Sequence, residues 1–136
     1  MATDFEAAFQ ALREVLRAQG AGLAVAADSP TRFCLEAAPG PATLAAWGGR
    51  ARRPTLPVAW VERGKSYVSY HLMGLDGTPG LVAALSPGLQ ARKQGKTCFN
   101  FQRPEPELLE ELGAVTAASI TGLLRAGYAI STGPAA

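Results

Sequence analysis

The chain is poor in the residues on which ordinary catalytic and metal chemistry depends. It has one histidine, His71, and two cysteines, Cys34 and Cys98, in 136 residues. With no CxxC pair and a single imidazole, a structural zinc site lacks ligands, and no metal or other cofactor is expected. The cysteines stand far apart in sequence, and two buried thiols are expected rather than a disulfide. Charge is scarce as well: 18% of residues are charged, and 13 Lys and Arg against 11 Asp and Glu leave a net of +2. So mild an excess does not mark a nucleic-acid binder. No apolar run approaches the ~20 residues that span a bilayer; the uncharged segments 77–91 and 112–124 are short or broken by Pro and Gly. The opening MATDFEAAFQALREVL is charged throughout and lacks the apolar centre of a signal peptide. The expectation is a cytoplasmic protein without membrane contact. Phosphate-cradling loops of the GxxxxGK[ST] and GxGxxG kinds are missing too, as is a GxSxG elbow.

What the chain does have is apolar bulk. At 48% hydrophobic residues, it can bury a core of the size usual for one domain, and residues 1–136 are read as one. Fifteen Gly and ten Pro argue against a plain helical bundle. Residues 3–19 read as a helix: Thr3 and Glu6 form a capping box, Phe5, Phe9, Leu12 and Leu16 make an apolar stripe, and Gly20 ends it. Leu23–Ala27 and Thr31–Glu36 flank the turn Asp28-Ser29-Pro30 and read as a strand hairpin. After a Pro-, Gly- and Arg-rich connection containing one helical turn at Ala42–Trp47, Val58–Glu62 and Ser66–Met73 form a second hairpin. Two short helical pieces follow, at Gly80–Leu85 and from Ser86-Pro87 onward, then a strand over Thr97–Phe101. A last helix over 106–126 carries Leu109, Leu112, Val115, Ile120 and Leu123. Its interior Gly113 and Gly122 suggest close packing on the sheet, and the tail Ser131–Ala136 is expected to fray. This order predicts an α+β domain: a single antiparallel sheet of about five strands, with the N- and C-terminal helices on one face.

Strand alternation divides the candidate functional residues from the core. If Val68, Tyr70, Leu72, Phe99 and Phe101 face the helices, then Tyr67, Ser69, His71, Cys98 and Asn100 face away from them. That second set mixes hydrogen-bonding and aromatic groups and suits a ligand site or a homodimer contact. A catalytic assignment has less support, because His71 is the sole base for any Ser or Cys nucleophile. Glu105, Glu107, Glu110 and Glu111 are explained by the helix dipole at the start of the last helix. Arg50, Arg52 and Arg53, with Arg63, Lys65, Arg92, Lys93 and Lys96, are expected in solvated loops.

The segments GKSYVSYHLM (64–73) and QGKTCFNF (94–101), with Leu85-Ser86-Pro87 between them, resemble the YdhG-like family of small bacterial proteins of unknown function, whose fold is similar to frataxin. The resemblance covers roughly residues 58–127. It implies an α+β domain with terminal helices and supplies no catalytic residues. Some relatives are proposed iron chaperones, a role for which frataxins use an acidic first helix and the neighbouring strand edge; here Asp4, Glu6 and Glu14 of that helix are offset by Arg13 and Arg17. The leading expectation is a non-enzymatic binding or interaction domain that uses the open sheet face toward a small ligand or a protein partner. The alternatives are iron delivery similar to that of the frataxins, and nucleic-acid contact through Arg50–Arg53.

Overall fold

The computed structural model describes residues 4–130. The chain runs α1 (Asp4–Gln19), β1 (Ala24–Asp28), β2 (Arg32–Pro39), α2 (Pro41–Ala46), β3 (Leu56–Arg63), β4 (Val68–Leu72), a 3-10 turn (Met73–Leu75), α3 (Pro79–Ala83), α4 (Pro87–Arg92), β5 (Lys93–Gln94), β6 (Cys98–Phe101), α5 (Pro106–Arg125) and β7 (Ala129–Ile130). The strands form one antiparallel sheet in the order β1-β2-β3-β4-β6-β5, with β7 paired to the far end of β2. Every expected strand is present. The two additional strands, β5 and β7, have two residues each and extend the sheet past the five anticipated. Thr3, the expected cap of α1, and the tail from Ser131 lie outside the described residues.

Both long helices lie on the same face of the sheet. Phe9, Leu12 and Leu16 of α1 and Leu112, Val115 and Ile120 of α5 are buried against Phe33, Val61, Val68, Tyr70, Phe99 and Phe101. The period of α1 puts its apolar residues on one stripe, and that stripe is what the sheet covers. At its edge, Arg13 locks α1 to β1: its guanidinium donates to both carboxylate oxygens of Asp28 at 2.7 and 2.9 Å and lies 5.2 Å over the Phe33 ring.

Helix α5 departs from expectation in its buried stripe. Leu108 is buried where Leu109 was expected, and Leu109 and Leu123 are only half-buried; Thr116 and Ser119 fill the inner face instead. Thr116 can enter the core because its hydroxyl donates to the Leu112 carbonyl at 2.7 Å. The glycines of α5 do not pack on the sheet. A Cβ at Gly113 would meet only the Gln19 side chain at 3.8 Å, whereas one at Gly122 would stand 3.1 Å from Thr78 Cγ2. Two of the glutamates near the start of α5 do more than face a dipole. The buried Glu105 carboxylate pairs with Arg92 Nε at 2.7 Å, and Glu111 accepts both the N–H and the hydroxyl of Ser86, which caps α4.

Candidate functional site

Antiparallel register makes directly opposed residues share a face. His71 stands opposite Trp60 on β3 and Cys98 on β6, and Ser69 stands opposite Glu62 and Asn100. The pairings continue outward, so one row crosses six strands: Ala27, Cys34, Trp60, His71, Cys98, Gln94. A second row holds Arg32, Glu62, Ser69 and Asn100. Both rows lie opposite the helices. Four of the five residues expected on this face are thus brought together: Ser69, His71, Cys98 and Asn100, all half-exposed. Tyr67 is 44% exposed and precedes the first ladder pair of β4, Arg63↔Val68, so it stands at the hairpin margin, apart from that group.

The centre of the site is a set of short contacts. The Trp60 and His71 rings stack with centroids 4.5 Å apart and planes 12° from parallel. Cys98 Sγ lies 3.8 Å from His71 Nε2 and 3.3 Å from Asn100 Oδ1, to which the thiol donates. Burial pushes the His71 imidazole below its usual value; Glu62 opposes that shift and Arg32 adds to it. Burial pushes the Cys98 thiol up, against a lowering contribution from a backbone hydrogen bond at Tyr70. Both shifts favour the neutral thiol and imidazole over the thiolate–imidazolium of an activated nucleophile.

The face is not open along its whole width. Cys34 belongs to the same row and yet is fully buried. Beside it, Glu36 has only 12% of its side chain exposed, accepts a hydrogen bond from Thr55 and lies 3.9 Å from Arg53 Nη2. The loop between α2 and β3 therefore closes over the β2 side, and the accessible surface is the half formed by β3, β4, β6 and β5. Two strands separate Cys34 from Cys98, which puts their Cα atoms about 14 Å apart by strand spacing. A disulfide needs less than ~7 Å, and both thiols are free.

At one end of this surface Trp60 also borders a cavity of about 500 Å³, between the start of β3, the 3-10 turn and the end of α5. Sequence reasoning missed both the Trp60 partnership and the cavity. The signal for Trp60 was its place two residues after Val58 in a strand, but only register reveals which side chain it meets.

Of the basic residues, Arg53 approaches Glu36 and Arg92 is paired with Glu105. Arg50, Arg52, Lys65 and Lys96 are exposed on loops. Among the described residues no three of His, Cys, Asp and Glu converge to hold a metal ion, and no helix is long and apolar enough to cross a membrane. In comparisons with known proteins, the chain matches no family model, no curated protein and no solved structure.

Proposed function

We propose that the protein is a non-enzymatic binding domain whose site is the exposed half of the sheet face around Trp60, Ser69, His71, Cys98 and Asn100. The observation that carries this reading is the juxtaposition of uncharged hydrogen-bonding side chains, half-exposed on adjacent strands, beside a stacked aromatic pair. Such a surface offers donors, acceptors and an apolar ring edge without a fixed charge. It is small, and the flanking Arg32 and Glu62 lie 4.0 Å apart, largely offsetting one another. Its exposed side chains are mainly polar, with Ser69, His71, Cys98 and Asn100 around the one stacked ring pair, so a small, uncharged, planar polar molecule fits it better than a second copy of the chain. The neutral Cys98–His71 contact supports binding over nucleophilic catalysis. Iron delivery and nucleic-acid contact find less support: among the described residues no donor set of three converges, and Arg53 lies against a carboxylate.

Amide chemical shifts recorded during titration with neutral heteroaromatic amides, nicotinamide first, test the reading. Saturable shifts at Trp60, Ser69, His71 and Asn100 that vanish in Ser69→Arg are expected. Shifts confined to other elements, or none with any such probe, contradict it.

A further inference from the structure

The cavity beside Trp60 has a structural cause and a distinct chemistry. Strand β3 outruns β4: their ladder ends at Ala59↔Leu72, and β4 passes at once into the 3-10 turn at Met73. Leu56 and Pro57 still pair with β2, opposite Ala37 and Glu36, while residues 56–58 have no strand partner on the β4 side. The gap is closed by the 3-10 turn and Thr78 on one flank and by the end of α5 and Tyr128 on the other. Gly122 lets that closure be tight, since any Cβ there would stand 3.1 Å from Thr78 Cγ2. The resulting volume of about 500 Å³ is within the range of small-molecule sites.

The lining selects among ligands by charge. Its walls are mainly apolar, with Val58 and Ala129 almost wholly buried. Its two threonine hydroxyls are already engaged: Thr43 donates to the Tyr128 carbonyl at 2.8 Å and Thr78 to the Gly74 carbonyl at 3.0 Å. Among the described residues, one charged side chain lines it, that of Asp76, and no Lys, Arg or His. The Asp76 carboxylate is exposed and makes no ion pair with a described residue. Trp60 and Tyr128 add two aromatic rings, whose faces attract cations and repel anions.

We propose that this cavity binds a hydrophobic amine, with an apolar body held between the start of β3 and the end of α5 and its ammonium group at Asp76. The apolar walls would accept a fatty acid or an alcohol of the same length equally well; the lone carboxylate is what separates the three. This site is independent of the sheet-face reading and shares only Trp60 with it.

A single-tryptophan background, Trp47→Phe, makes Trp60 fluorescence the reporter. Octylammonium, octan-1-ol and octanoate, each below its micelle concentration at neutral pH, are the probes. The amine is expected to saturate the signal at about tenfold lower concentration than the alcohol, the usual scale of one charge-assisted hydrogen bond, with octanoate weakest. Asp76→Asn should remove the preference for the amine and leave alcohol binding in place. Ala126→Phe, at an exposed position on the lining, should block every probe while its thermal melt stays near that of the parent. Octanoate binding as tightly as octylammonium, a preference that survives Asp76→Asn, or no saturable binding of any probe would overturn the proposal.

Discussion

Tyr70 Oη lies 2.5 Å from Thr116 Oγ1 inside the core, and Thr116 in turn donates to the Leu112 carbonyl at 2.7 Å. The Thr116 proton is committed to Leu112, so Tyr70 is the donor, and one phenol proton ties β4 to α5. Thr116→Val keeps the volume and strands that donor; it should cost about 1–3 kcal/mol. The double variant Tyr70→Phe/Thr116→Val should cost less than the sum of the two single changes, as read by urea denaturation. Burial also pushes the Tyr70 phenol far above its ordinary value of 10.0. The unfolded chain therefore releases this proton first as pH rises above about 10, and stability falls there. Tyr70→Phe should flatten that alkaline slope.

Phe99 and Asn100 are adjacent in sequence and lie on opposite faces of β6. Phe99 is fully buried, and Asn100 is half-exposed with its carbonyl oxygen accepting from Cys98. Phe99→Ala should cost about 3–5 kcal/mol, a large share of the ~5–15 kcal/mol such a domain has. Asn100→Ala should stay within about 1 kcal/mol. Equal losses in chemical denaturation would mean that the face assignment is wrong.

Gly74 lies against the main chain of α5. A Cβ there would sit 2.2 Å from the Ser119 carbonyl oxygen and 2.7 Å from its hydroxyl. Gly74→Ala should destabilise by at least the ~1–3 kcal/mol of ordinary overpacking. Adding Ser119→Ala should not rescue it, because the shorter contact is with backbone. Ser119→Ala by itself should be neutral or mildly stabilising in thermal melts, since its buried hydroxyl has no partner.

The His71 imidazole should titrate below the ordinary 6.5 when followed by NMR, because burial lowers it. Between that folded value and 6.5 the unfolded chain holds more protons, so stability should fall as pH drops through the window. Comparing denaturation at about pH 7 and about pH 5.5 isolates the effect, since His71→Gln should lose this part of the slope. A midpoint above 6.5 would show that Glu62, not burial, governs the ring.

Much of the fold was legible because alternation in β4 and β6 is strict. Val68, Tyr70 and Leu72 are buried while Ser69 and His71 are half-exposed, as period two requires. That same rule brought Ser69, His71, Cys98 and Asn100 to one side. Strands β5 and β7 were not legible, because two residues carry no periodicity and only pairing to β6 and β2 makes them strands. Thr116 and Ser119 were invisible as core residues because hydropathy cannot register a hydroxyl that bonds within its own helix or points at a glycine. The Trp60–His71 stack required cross-strand register. The cavity required the unequal ends of β3 and β4, which neither composition nor spacing records.

The proposal that this face is no site of nucleophilic thiol chemistry stands most directly on the protonation state of Cys98. Alkylation by iodoacetamide, followed by mass spectrometry of the peptide that carries Cys98, gives its rate as a function of pH. The account predicts a midpoint above the ordinary 9.0 and a rate near neutrality no faster than that of a free thiol. A midpoint at or below about 7.5, the range of thiols paired with a charged imidazole, would contradict it.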